Sequence, residues 1–445
     1  MHLLILSSIK DEIGCYKKII FICLPVLNPG HMQIHYFVLP LLFLGLFNQA
    51  TAQEIATLKI DMPSEQLDLQ VPVSSDFDEI THLADSLLVL VEWMDGKEVP
   101  VNFQVEQGDE RKLVWMLDAG KFGKRVYKLL QAKPRKVDPI IKATIQDGGI
   151  VLGNKSQPLL RYNYETLMPP EGIDEVFKRS GFIHPFWSPA GKELTRIQAP
   201  DHYHHYGLWN PWTRLEYKGN VVDLWNLGEK QGTVRFANFI SRTSGPVYGS
   251  FKVLHEHVVF EEGGDEVALN EVQGVKIFQH KNHQDSYFAD ISIALNTATD
   301  HAVILKEYRY GGLGWRATEK WHKDNSEIIT SEGKNRGESD GSLARWCIVQ
   351  GEIDEDYAAV LMMSFPTNYN HPEPLRIWPE DIYDRGDVFA NFSPTKDKDW
   401  VLEPGKNYRL NYRFYVSDKK ISAEQAEALW QIYAHPPVVE VELSN

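Results

Sequence analysis

Cysteine is nearly absent from this chain. Its 445 residues hold three, and two of these, Cys15 and Cys23, lie near the N-terminus. Cys347 is left alone in the remainder, and one thiol makes neither an internal disulfide nor a thiolate metal cage. A nucleophilic Cys347, beside Trp346, is the weaker reading of it. Positive charge is also scarce, 46 Lys and Arg against 61 Asp and Glu, for a net charge of -15. Binding nucleic acid through its phosphates needs a cationic surface, so no nucleic-acid partner is expected. No apolar run approaches the ~20 residues that carry a helix across a bilayer, so no stable membrane anchor is expected in the mature chain. Internal repeats, low-complexity tracts and a His-Glu-x-x-His zinc helix are missing. The run Gly311-Gly312-Leu313-Gly314-Trp315-Arg316 lacks the trailing Lys-Ser/Thr of a phosphate loop, which argues against a nucleotide site.

The N-terminal segment reads as a leader. An apolar run from Tyr36 to Phe47 is followed by Ala50-Thr51-Ala52, a small-x-small cleavage pattern before Gln53. Met32 is the better start, and residues 1–31 read as an over-extended gene model. The expected location is therefore periplasmic or secreted, after removal of residues up to 52.

What remains is rich in rings: aromatic residues make up 11% of the chain, a load that suits β-structure or stacking on a flat ligand such as a sugar. Residues 54–135 read as a small β-sandwich. Leu67, Leu69 and Val71 alternate with Asp68 and Gln70, Val89, Val91 and Trp93 follow, and Asp95-Gly96 marks a hairpin before Val99 and Val101. Lys133-Pro134-Arg135 reads as a linker. Residues 136–445 read as a large antiparallel β-sandwich. Three period-2 segments set its buried face: Phe251, Val253, His255, His257 and Val259; Tyr287, Ala289, Ile291, Ile293 and Leu295; and Tyr408, Leu410, Tyr412, Phe414 and Val416. One C-terminal helix is expected, with Ser422 as cap, Gln425 completing a capping box, and Ala426, Leu429, Trp430 and Tyr433 as its apolar stripe before Pro436-Pro437. The fold class is thus mostly β.

Chemistry concentrates in residues 181–226, above all in Asp201-His202-Tyr203-His204-His205. In an extended chain His202 and His204 point to one face, and Asp201, Tyr203 and His205 to the other. Three readings stay open: imidazoles with Asp201 holding one divalent metal, His202 and His204 as ligands; an imidazole as general acid or base; and imidazoles that merely bond hydroxyls or the scaffold. His184, before Pro185, belongs to the same account, so the candidate catalytic residues are His184, Asp201, His202, His204 and His205. Trp209, Trp212 and Trp225 are core rings or a wall for a sugar. Trp209, Asp223, Trp225, Asn226, Arg316 and Arg345 are the candidate substrate contacts, with ion pairing the competing role for the two arginines. Glu271, Glu332 and Asp340 are candidate partner carboxylates. His255 and His257 share a strand face and fit an ordinary sheet position as well as a second site.

The order of motifs carries a resemblance: Arg179-Ser-Gly-Phe-Ile-His184-Pro, Ser188-Pro-x-Gly191, Leu194-Thr195, Asp201-His-x-His-His205-x-Gly207-x-Trp209, Asp223-x-Trp225-Asn226, Tyr310-Gly-Gly312 with Arg316, Arg345-Trp346-Cys347 and Pro404-Gly-Lys406. Over roughly 140–440 this resembles the secreted bacterial family labelled "PmoA family" or "methane oxygenase PmoA", a domain of unknown function. It departs where the family commonly has Arg after the His pair; Tyr206 stands here. The helical, membrane-embedded methane monooxygenase subunit is a different architecture. The resemblance implies a large β-sandwich distantly similar to galactose-mutarotase-type proteins, in which a histidine acid and a carboxylate base act on a sugar. On this chain His184, His202, His204 and His205 become the candidate acids. The expected function is a secreted carbohydrate-active enzyme, an epimerase, lyase or hydrolase, with a small carbohydrate as its partner. A non-catalytic carbohydrate-binding protein and a metal-dependent oxygenase are the alternatives.

Overall fold

The computed structural model describes residues 6–10, 16–20 and 52–444, apart from 63–66, 68, 109, 122, 134–135 and 280–283. The leader expected over 32–52 lies outside the described residues except for Ala52, as do Cys15 and Cys23, and Pro134 and Arg135 of the linker. Leu6–Lys10 and Tyr16–Ile20 pair as an antiparallel hairpin, a unit described by itself. From Gln53 onward the chain is mostly β, and every strand pairing described is antiparallel.

Two large sheets make the main sandwich. One has eight strands, in the order Gly232–Thr243, Tyr248–Val259, Glu266–Gln279, Ser286–Thr297, Tyr408–Ser417, Asp356–Ser364, Trp346–Ile353 and Ser326–Thr330. The other has nine, and its middle runs Pro158–Asn163, Phe182–Phe186, Leu208–Trp209, Gly314–Arg316 and Phe389–Phe392. The period-2 sets meet between the sheets: Phe251, Val253, Ile291, Ile293, Leu410 and Phe414 are buried there, facing Ile183, Leu208 and Trp315. Alternation fixes this because shifting a strand by one residue would turn its whole apolar set to the other face. Nearly every second residue on these long strands is apolar, so one register buries far more surface than the other.

The first sandwich is built from Gln53–Met62, Gly123–Gln131, Leu88–Met94 and Lys97–Val101 in one sheet, with Gln70–Asp76, Lys112–Asp118 and Phe103–Glu106 in the other. Its edge is completed by Val439–Leu443, which pairs with Gln53–Met62, so the last strand of the chain returns to the first sandwich. Asp95 and Gly96 both take positive φ, the requirement of a two-residue type I′ hairpin. One strand departs from the expected alternation. Leu88 and Leu90 lie in the core, Val91 is buried as well, and Trp93 is 45% exposed. Both faces of Leu88–Val91 are apolar, so alternation does not choose between them; the buried Arg125–Glu92 pair lets Glu92 share the inner face.

The helix Ala423–Ala434 forms as expected, with the Ser422 side chain accepting from Gln425 N at 3.2 Å. Ala426, Leu429, Trp430 and Tyr433 lie in a second core, shared with the first sandwich and with Phe288, Trp346, Leu361 and Tyr415 on the outer face of the eight-stranded sheet. The outer face of the nine-stranded sheet carries a third cluster: Phe182, Tyr206, Trp209, Trp225, Leu227, Trp378 and Phe389.

Candidate functional site

The histidine-rich segment lies over this third cluster. His202–Tyr206 pairs antiparallel with Ile197–Ala199, but Ile197 faces Tyr206 while Ala199 faces His202. Three residues on one strand thus span five on the other, a bulge that breaks period-2 alternation. The expectation that His205 faces away from His202 and His204 fails for this reason. The three rings converge instead: His202 and His205 stack with centroids 4.5 Å apart, His204 and His205 meet edge-on at 4.8 Å, and His202 and His204 at 5.1 Å. One ring nitrogen from each falls within 4.8 Å of the others.

Glycine makes the turn that follows. Gly207 sits at φ 63, and a Cβ there would stand 2.3 Å from Ile183 O. This close approach lets Leu208–Trp209 slot between the strands of Ile183 and Trp315. Trp209 then packs under His205 at 5.0 Å, with Trp225 and Phe389 beside it. Trp209 and Trp225 are each 1% exposed, so they form a floor beneath the imidazoles and not the open sugar wall the sequence allowed. Gly314 serves the same floor, since a Cβ there would be 2.6 Å from Trp225 Cη2.

Carboxylates and guanidinium groups flank the rings. Asp201 Oδ2 accepts from His202 Nδ1 at 2.9 Å, and both its oxygens accept from Arg316 Nη2, at 3.1 and 2.8 Å. Arg316 Nη2 also donates to Asp387 Oδ2, which binds Arg196 Nη1 as well. Burial favours the neutral form of Asp201, but bonds from His202 and Arg316 outweigh it and hold its pKa well below the usual range. Arg316 stacks its guanidinium 4.5 Å over the Trp378 ring. At the rim, Tyr383 is 55% exposed, and its OH lies 3.5 Å from His202 Nε2.

Burial first, then the charge of neighbouring groups including His202, lowers the His204 pKa to about 3. His205 is pushed well below its ordinary value by the same causes. Both imidazoles are therefore neutral at pH 7. Neutral imidazole is the form that binds a metal or accepts a proton.

The other sequence candidates lie elsewhere. The His184 ring bonds Thr195 Oγ1 at 3.0 Å and faces Glu193 at 3.7 Å, in a separate cleft with Arg196, Glu319 and Lys320. Burial, with a smaller effect of Arg161, lowers its pKa to about 4. Asp223 caps its own turn, accepting from the backbone of Trp225 and Asn226, and Asn226 bonds Tyr310. Arg345 pairs with Glu332 and Glu427 against Trp430, at the C-terminal helix. Asp340 pairs with Arg376 and Lys396. Tyr206, where the family commonly has Arg, is fully buried and donates to Phe177 O. Cys347 is fully buried, which pushes its thiol up to about 12 and removes it as a nucleophile. Sequence reasoning missed Arg196, Trp378, Tyr383 and Asp387. No local signal marks them: Asp387 is 71 residues from Arg316, and tertiary folding alone brings the two together.

A second histidine cluster is sealed between the sheets. Glu271, 0% exposed, binds His255 Nδ1 at 3.1 Å, His257 Nε2 at 2.8 Å and Asn210 Nδ2 at 2.8 Å. Tyr162 OH reaches the far side of His255 at 2.6 Å. Burial would raise the Glu271 pKa, but its bonds to the two histidines hold it low.

Among solved structures, a galactose mutarotase related enzyme from Lactobacillus acidophilus is 11% identical, with a TM-score of 0.30, over 63% of this chain and 97% of that one. A putative kojibiose phosphorylase from the human microbiome is 9% identical, with a TM-score of 0.26, over 67% of this chain and 33% of that one. No curated protein matches. The family model that matches carries no methane-oxygenase name; it is described as "Family of unknown function (DUF6807)" and spans residues 150–431, more than half of the chain, which therefore belongs to that family.

Proposed function

We propose that the protein is an enzyme whose active site is the His202–His204–His205 cluster, that the three imidazoles hold one divalent metal ion, and that the substrate is a sugar or an oxidised sugar. The observation that carries this is the convergence of three imidazole nitrogens to within 4.8 Å of one another. Two of the imidazoles are kept neutral by burial. The third has Asp201 on its Nδ1, the carboxylate–histidine pairing that orients metal ligands in known sites. Three histidines leave a coordination position open, where a metal polarises a carbonyl or lowers the pKa of water. A sugar-like substrate is supported by the exposed Tyr383 and the half-buried Tyr203, which lies 5.9 Å from Phe177, because C–H faces of sugars pack on such rings.

The test is elemental analysis of protein purified without chelators, for wild type and His204→Ala. The expected result is a bound metal in the wild type and its loss in the variant, with the melting temperature of the metal-free protein nearly unchanged. A metal-free wild type that still turns over sugars would remove the metal and leave a second reading, which the Asp201–His202 bond favours: His202 as a general base oriented by Asp201, worth ~10²–10⁴ in rate. The pattern ending in Ala50-Thr51-Ala52 supports export from the cytoplasm. N-terminal sequencing of exported protein is expected to begin at or near Gln53, and a chain that still carries residues 32–52 would end that reading.

A further inference from the structure

Hydrogen-bond donors without acceptors gather around the histidine cluster. Arg179 is 2% exposed, and neither Nη1 nor Nη2 has a partner among the described residues. Arg316 is 0% exposed; its Nη2 makes all the bonds to Asp201 and Asp387, and its Nη1 makes none. Trp209 Nε1, under His205, is also unpaired. A buried guanidinium without a counter-charge is costly, by several kcal/mol in general, so native proteins seldom keep one without use.

The backbone places Arg179 beside the site. Phe177 O accepts from Tyr206 OH, on the strand that carries His204. On the other side, a Cβ on Gly181 would stand 3.2 Å from His255 Nε2. The segment from Phe177 to Gly181 thus runs between the two histidine clusters. The charge of Arg179 acts on His204 and on Tyr206. Glu271, the carboxylate whose charge acts on Arg179, is already taken up by His255, His257 and Asn210. Among the described residues, the surroundings of the His202–His204–His205 cluster therefore hold more donors without a hydrogen bond, Arg179 Nη1 and Nη2, Arg316 Nη1 and Trp209 Nε1, than acceptors without one, Asp387 Oδ1.

We propose that the ligand of the histidine site is anionic, a sugar acid, and that Arg179 receives its carboxylate, with Arg316 Nη1 as a further unpaired donor beside the site. This rests on the reading of the cluster as the active site and names the substrate class that reading left open. A planar guanidinium whose Nη1 and Nη2 are both unpaired matches a carboxylate in two-pronged fashion. A neutral sugar offers hydroxyl oxygens to the same donors, without the charge and without the two-pronged match.

The test is calorimetric titration of the full chain, in low-salt buffer, with D-glucuronate, D-galacturonate and D-gluconate against D-glucose and D-galactose. At least one acid is expected to bind about 10–100-fold more tightly than its neutral parent, the range of a charge-assisted bond. Arg179→Met is expected to erase that preference while the metal content of the folded protein stays as in the wild type. Should that variant not fold, Arg179→Lys, which keeps the charge but not the fork, is expected to reduce the preference by about tenfold. Equal binding of acids and neutral sugars overturns the proposal, with water serving the donors. A preference that survives in Arg179→Met also overturns it, since another group then holds the carboxylate. Inorganic phosphate is the arm for a free anion, and phosphate binding without any sugar acid overturns the sugar-acid assignment. Metal analysis of the same samples separates the two readings: acid preference in metal-free protein removes only the metal, and bound metal without acid preference removes only Arg179.

Discussion

Two histidine clusters built on almost the same motif end in opposite states. His255 and His257 stand two apart on a twelve-residue strand, second from the edge of the eight-stranded sheet, whose register with Glu266–Gln279 is unbroken from Tyr248 to His257. His202, His204 and His205 stand on a five-residue strand of a two-stranded ribbon with a bulge. In the regular sheet, alternation sends both imidazoles inward, and cross-strand pairing puts His255 opposite Glu271, whose carboxylate both then bind. In the bulged ribbon, three rings converge at the surface with ring contacts to one another and one carboxylate among them. The first arrangement is sealed and held on a buried carboxylate, with His257 Nδ1 and Asn210 Oδ1 left unpaired among the described residues. The second leaves His205 Nδ1 and its neighbouring donors without partners. Histidine density alone therefore says little; what separates the two clusters is whether the imidazoles close on a buried carboxylate or on one another.

The comparison breaks most sharply at Glu271. Glu271→Ala leaves two buried imidazoles and Asn210 without their acceptor, and breaking such a buried charged network costs ~3–5 kcal/mol. Urea unfolding is expected to show that loss, while the metal content of the folded fraction stays as in the wild type. Loss of metal at unchanged stability would mean that the sealed cluster, too, is functional.

A buried carboxylate without histidines sharpens the point. Glu373 is 0% exposed and accepts from Asn368 Nδ2 at 2.8 Å and Tyr412 OH at 2.9 Å. Burial raises its pKa to about 7 against these bonds. Its proton is thus held more tightly in the folded chain than in the unfolded one, where the ordinary value is 4.5. Below pH 4.5 both states are protonated and the group costs nothing. Between 4.5 and 7 the unfolded chain ionises first and stability falls as pH rises; above 7 the cost is constant. Glu271 has the opposite sign, contributing stability above its ordinary value that is lost on acidification. The stability of wild type relative to Glu373→Gln is expected to drop by on the order of 3 kcal/mol from pH 4.5 to pH 7. A pH-independent difference would show that the bonds from Ser364, Asn368 and Tyr412 balance burial.

The smallest expected effect is at Asp201. Asp201→Asn keeps the shape beside His202 Nδ1 but removes the charge that orients the ring. A carboxylate in this position is worth ~10–100-fold in metal affinity, and competition with a chelator of known affinity measures it. No change would mean that Asp201 serves Arg316 alone and that His202 is not a metal ligand.

The regular parts of the molecule were legible as sequence. Alternation over Phe251–Val259, Tyr287–Leu295 and Leu410–Val416 identifies the inner face because only one register buries an unbroken apolar set. Ser422 and the apolar stripe behind it give the last helix. Trp93 was not legible, because Leu88–Val91 is apolar on both faces and the Glu92–Arg125 pair decides which one turns inward. Nor was the division of the histidines. His184 is close in sequence to the cluster, yet its ring turns to Thr195 and Glu193.

What the sequence by itself determined is the β class, the paired faces of the long strands, the C-terminal helix and the segment in which the chemistry lies. Each follows from local pattern, since side-chain period and capping are properties of neighbours along the chain. The tertiary structure decided which imidazoles meet. The bulge opposite Ile197–Ala199 gathers His202, His204 and His205, Asp387 arrives from the loop before Phe389–Phe392 to hold Arg316, and Phe177–Gly181 carries Arg179, its Nη1 and Nη2 unpaired, between two clusters. These are contacts between residues far apart in the chain, set by how two sheets and a ribbon pack, and no local period encodes them.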